Sequence, residues 1–196
     1  MSDASTLLKE LSEATGVSGY EEEVRAVVRR AFQPYADEIR EDALGNVIAL
    51  RRGMRPAGEP TRAIMLAAHT DEIGLMISGL DGAFLRFERV GGVDIRTIVG
   101  QEVVVHGRQP LVGIIASRPP HVQTAAEREK PYALRDLFID TGLSEARLRE
   151  LVRVGDLATM KRTYVELAEG YASGKAFDDR AGVVSLALCL EMLAGM

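Results

Sequence analysis

Apolar residues first recur at helical spacing. Leu7, Leu8, Leu11 and Ala14 share one face, which predicts a helix over 5–15 ended at Gly16. Val24, Val27, Val28 and Phe32 repeat the pattern in a second helix. The stretch Ser18-Gly19-Tyr20-Glu21 precedes it and reads as a capping box, with Ser18 and Glu21 satisfying each other's free backbone donors. Two short segments, 39–42 and 47–50, flank the turn dipeptide Gly45-Asn46 and predict a hairpin. Residues 52–61, rich in Gly, Pro and charge, predict an exposed loop. Ile64 to Ala68 is an unbroken apolar run of strand length, expected to be a strand buried on both faces.

The pattern then changes. Strand-like runs at 75–78, 84–89, 102–106 and 112–116 are separated by Asp81-Gly82, Gly91-Gly92 and Gly107, as in a small all-β unit. Residues 119–131 predict a loop, 137–139 a further strand, and 144–152 a short helix capped by Ser144. The last helix, 181–193, is apolar nearly all round, which predicts deep burial. The expected architecture is α/β. A discontinuous unit of residues 1–74 and 165–196 is interrupted by a β-rich insertion of residues 75–164.

Composition narrows the function classes. About half of the 196 residues are apolar, enough for a core, and the net charge of −5 has both signs mixed along the chain. No basic footprint for nucleic acid exists, so no nucleic-acid partner is expected. One cysteine, Cys189, precludes an internal disulfide. The polar start, Met1 to Ser5, does not read as a signal peptide, and no apolar run approaches the roughly 20 residues of a membrane span. A cytoplasmic protein with no membrane partner is the expectation.

Two polar clusters interrupt apolar elements. In "AIMLAAHTDEIGLMI", His69-Thr70-Asp71-Glu72 follows the predicted buried strand. Residues two apart on a strand point the same way, so His69 and Asp71 can act together. A neutral imidazole is a good metal ligand, and a carboxylate behind it fixes its tautomer. The alternative is a strand that ends in water, with Glu72 a surface residue or a late addition to the site. The second cluster, Asp178-Asp179-Arg180, precedes the last helix. It fits helix capping, or a carboxylate that bridges two cations.

The stretches "AAHTDEIGLMI", "RVGGVDIRTIVGQEVVVHG", "LVGIIASRPPH", "RVGDLATM" and "GKAFDDRAGVV" together resemble, in order, the M42 metalloaminopeptidases, which include the tetrahedral and deblocking aminopeptidases. The resemblance implies a phosphorylase/hydrolase-like catalytic domain, interrupted by a β-barrel or PDZ-like dimerisation domain. It implies a site for two divalent metal ions, zinc or cobalt, and a peptide substrate cleaved at its N-terminus by a metal-activated water. By motif position, His69 matches a metal-ligating histidine and Asp178 the bridging metal ligand. Asp71 matches the catalytic carboxylate that orients the histidine. The peptide after the bridging aspartate is often cis in such enzymes. The resemblance also implies a homo-oligomer built from dimers, up to a dodecamer.

The chain departs from that pattern in what it lacks. The Glu-Glu pair, a further Asp ligand and the last His ligand have no counterpart, so two ligands would serve two metals. The 196-residue chain alone is therefore expected to be inactive. The competing reading is a non-catalytic, self-associating module. Endoglucanase activity, a label common among such relatives, is disfavoured by the absence of Trp and the 5% aromatic content. His106 and His121 are expected to be ordinary surface residues, and Cys189 a buried hydrophobe.

Overall fold

The computed structural model describes residues 3–53 and 63–195. In chain order the elements are α1 (Ala4–Glu13), α2 (Glu22–Phe32), β1 (Glu38–Glu41), β2 (Val47–Leu50), β3 (Gly74–Asp81), β4 (Phe84–Val90), α3 (Ile95–Ile98), β5 (Glu102–His106), β6 (Pro110–Ser117), α4 (Ala125–Arg128), β7 (Leu137–Asp140), α5 (Glu145–Leu151), β8 (Leu157–Met160), β9 (Val165–Glu166), β10 (Ala172–Ser173) and α6 (Phe177–Ala194). They form two units: residues up to Glu72 together with those from Thr163, and Ile73–Arg162.

In the first unit, α1, α2 and α6 enclose a core of Leu11, Ala14, Val24, Val27, Val28, Phe32, Val183, Val184 and Ala187. Asp3 caps α1 by accepting from Ser5 N at 3.1 Å. The hairpin β1–β2 forms around Gly45, whose φ of 85° is open to glycine without strain. β9 and β10 form a second two-stranded sheet.

The second unit is a closed antiparallel barrel of six strands, ordered β3-β4-β7-β6-β5-β8. Alternation dictates its interior: Leu75 and Ile77, Leu85 and Phe87, Val103 and Val105, Leu137 and Ile139 all point inward and are buried. α5 adds Leu148 and Leu151 to this core, and Ser144 caps it. Each such Leu, Ile or Val contributes roughly 1.5–3 kcal/mol by leaving water. Among the described residues, no helix is long and apolar enough to cross a membrane.

Four expectations are corrected. Residues 64–68 form no strand: no neighbour among the described residues pairs with them, and Ile64, Met65 and Leu66 are 89%, 90% and 56% exposed. The last helix is buried along one face only, with Met192 and Leu193 exposed, because α1 and α2 cover a single side of it. Segment 119–131 contains a 3-10 turn, Pro120–Val122, and α4. Ser18 does not cap α2, whose N-cap, Glu21, makes no side-chain capping bond. Most of the predicted loop 52–61 lies outside the described residues.

Candidate metal centre

The site is built in the first unit from three pieces of chain: the loop after α1, the segment 69–72, and the turn entering α6. Glu72 joins the first two. Its N–H donates to Gly16 O at 2.7 Å, its Oε1 accepts from Gly16 N at 3.2 Å, and it bridges Val17 in parallel. The Glu72 side chain is only 4% exposed, which corrects its reading as a surface residue. A buried carboxylate needs positive partners. Lys175 Nζ supplies them at 2.7 and 2.9 Å, and also donates to Ala14 O at 2.8 Å.

Arg180 ties the third piece in. It is wholly buried, with Nε donating to Thr70 O at 2.8 Å and Nη1 donating to Leu11 O and Ala14 O, each at 2.6 Å. Its Nη2 faces Glu72 Oε1 at 3.7 Å. Two cations thus flank one buried carboxylate. Burial lowers the pKa of both Lys175 and Arg180, and the charge of Glu72 opposes that shift in each. Gly16 is required by space: a Cβ there would lie 2.6 Å from Arg180 Nη2 and 2.7 Å from Val24 Cγ1.

On this frame sit the predicted site residues. His69 Nδ1 lies 3.1 Å from Asp71 Oδ1, and its Nε2 lies 3.2 Å from Asp178 Oδ1. All three are brought together. The outer oxygen of Asp71 accepts a hydrogen bond from Ser18 Oγ. Asp178 presents its carboxylate outward, 97% exposed. It stands in the first turn of α6 in a non-helical conformation, joined by a cis peptide to Asp179, with the N-cap Ala176 two residues before it at φ 58°. A non-glycine residue in that left-handed region costs about 1–2 kcal/mol. The carboxylate of Asp179 packs against Gly182, where a Cβ would come within 2.4 Å of Oδ1.

In the tautomer that donates Nδ1–H to Asp71, the Nε2 lone pair of His69 faces an exposed carboxylate 3.2 Å away, an arrangement that a cation between them would satisfy. An imidazole and a free carboxylate are donor types that divalent ions accept, one short of the three protein ligands of a catalytic zinc. Among the described residues, no group of three or more His, Cys, Asp or Glu is placed to hold a metal ion.

Reading the sequence missed Lys175 and Arg180, although both stand beside Asp178 in "GKAFDDR" and their counter-charge, Glu72, stands beside Asp71. His106 was expected at the surface; it is half-buried, 2.9 Å from Thr159 Oγ1. His121 is exposed, and Cys189 is half-buried on α6.

The family model of the M42 glutamyl aminopeptidases matches residues 45–196, and a shorter model, AMPT, matches residues 3–27. The chain belongs to the M42 glutamyl aminopeptidase family. The TET aminopeptidase of a marine-sediment Thaumarchaeota archaeon shares this M42 fold with a TM-score of 0.91 and 38% identity, over 98% of this chain and 54% of its own. The TET1 peptidase of Pyrococcus horikoshii, which can assemble into a tetrahedron or a large octahedral shell, has a TM-score of 0.80 and 36% identity over 99% of this chain and 56% of its own. The lysyl aminopeptidase of Pyrococcus furiosus is 32% identical over 89% of this chain and 50% of that protein. The M42 chain spans about half the length of the curated relatives it matches.

Proposed function

We propose that this chain carries part of a two-metal aminopeptidase site, with His69 and Asp178 as ligands and Asp71 as the residue that orients His69. The observation that carries the reading is His69 held between two carboxylates, at 3.1 and 3.2 Å. Asp71 keeps the proton on Nδ1 and so keeps Nε2 free to bind. Asp178, exposed on both oxygens, is suited to bridge two ions. A divalent pair, when bound, polarises a peptide carbonyl and acidifies water. The first unit is, in this reading, part of a phosphorylase/hydrolase-like catalytic domain.

In this reading the described residues do not complete that chemistry. Among the described residues, the carboxylates next to His69 and Asp178 are otherwise engaged: Asp71 by His69 and Ser18, Glu72 by Lys175 and Arg180, and Asp179 packed against Gly182. General-base help typically contributes about 10²–10⁴-fold. The isolated chain is therefore expected not to hydrolyse leucine or glutamate p-nitroanilide with zinc or cobalt. Mixing it with a polypeptide that supplies the Glu-Glu pair and the remaining ligands of the family pattern is expected to restore turnover. Metal-dependent hydrolysis by the isolated chain that survives His69→Ala would overturn the assignment.

Self-association belongs to the same proposal. The likeness to the P. horikoshii TET1 shell supports it, as do Val112 and Ile114, which stand exposed on the outer face of β6. Sedimentation at several protein concentrations tests it; a monomer throughout would contradict it. A sugar-cleaving reading is not favoured, because Asp178 is absorbed by the metal site and no Trp is available for stacking.

A further inference from the structure

The loop "TGVSGY" carries a serine whose expected task is done without it. α2 begins with no side-chain cap, and Gly19 N is taken by Glu21 Oε1 at 2.6 Å. The Ser18 hydroxyl instead donates to Asp71 Oδ2. We propose that Ser18 is a positioning residue of the candidate metal centre, clamping Asp71 so that Asp71 fixes the imidazole of His69. The proposal rests on the reading of His69 and Asp178 as metal ligands.

The geometry makes a relay of four groups. Ser18 holds one oxygen of Asp71, the other oxygen faces His69 Nδ1 at 3.1 Å, and His69 Nε2 faces Asp178 at 3.2 Å. A terminal carboxylate torsion is soft and roughly two-fold. The side chain of Asp71 is 38% exposed, so water competes for both its oxygens. Anchoring Oδ2 removes the rotation that would carry Oδ1 away from the ring. Outer hydrogen bonds of this kind set ligand orientation and basicity.

Ser18 can clamp because its loop is anchored on both sides. On one side Val17 is fully buried and bridges both Tyr20 and Glu72. On the other Gly19 turns the chain at φ 88°, with open space where a Cβ would stand, so glycine is there for conformation. Gly16 is locked to Glu72 through both its N–H and its C=O. Ser18 itself is exposed. Its hydroxyl contributes little to the core, so its removal tests orientation separately from folding.

The test compares wild type, Ser18→Ala, Ser18→Thr and His69→Ala in the 196-residue chain. Cobalt(II) affinity is read by calorimetry, and the His69 tautomer is read in the metal-free chain by nitrogen-15 NMR of the imidazole. Removing an outer partner of a ligand costs about 10–100-fold in affinity, and Ser18 stands one bond further out, so Ser18→Ala is expected to weaken cobalt about three- to tenfold. It is also expected to mix the His69 tautomers, and Ser18→Thr, which keeps the hydroxyl, is expected to restore both. Ser18→Ala with unchanged tautomer and unchanged affinity overturns the proposal. Wild type and His69→Ala binding cobalt alike overturns the ligand reading beneath it, while the tautomer measurement still decides whether Ser18 clamps Asp71.

Discussion

His69 and Asp178, 109 positions apart in the chain, meet with Nε2 at 3.2 Å from Oδ1. Neither residue is positioned by its own element, since His69 lies in unpaired chain and Asp178 in the irregular start of α6. Their meeting is set by the buried charges next to them, Glu72 three residues after His69 and Lys175 three residues before Asp178.

That ion pair is expected to control stability. Breaking a buried pair by removing one partner costs about 3–5 kcal/mol, because the other charge is left uncompensated. Glu72→Gln strands two cations, whereas Lys175→Met leaves Glu72 with Arg180 at 3.7 Å. Chemical denaturation should therefore show Glu72→Gln as the more damaging change. The reverse order would mean that Arg180 does not sense Glu72.

Gly16→Ala is expected to destabilise by about 1–3 kcal/mol through overpacking. The new methyl would meet the guanidinium of Arg180 and the side chain of Val24. Thermal unfolding of the variant checks this; an unchanged midpoint would show that the guanidinium can withdraw.

The barrel was legible because its strands alternate. β3 to β7 carry inward Leu, Ile, Val and Phe every second residue, with glycine turns between. β8 was not legible: Leu157, Ala158 and Thr159 are buried in succession, so no period of two marks the strand that closes the barrel. The apolar run 64–68 misled for the opposite reason. Hydrophobicity reports a preference for burial, and whether it is met depends on a partner strand that local sequence does not encode. At the site, His69, Asp71 and Asp178 stood out as polar residues against apolar runs. Ser18 and Glu72 did not, since a serine before a helix and an acid beside an acid each have a simpler local reading.

Lys175 has its pKa lowered by burial, against the pull of Glu72. A base whose folded pKa lies below its unfolded value of 10.5 binds its proton less well when folded. Stability linked to Lys175 should thus be fully present above that value and be lost as pH falls through the folded pKa. Unfolding free energies of wild type, minus those of Lys175→Met, should rise with pH as it approaches 10.5 from below. A flat difference would place the lysine amine in a water-like setting.

His69 and Asp178 are proposed to hold a divalent cation jointly. Titration of cobalt(II) into the metal-free chain, followed by calorimetry, is the test. Two protein ligands predict weak but saturable binding. His69→Ala and Asp178→Ala should each weaken that binding at least tenfold, and the exposed control Asp81→Ala should leave it unchanged. Equal affinity in wild type and both site variants would show that His69 and Asp178 are not the ligands.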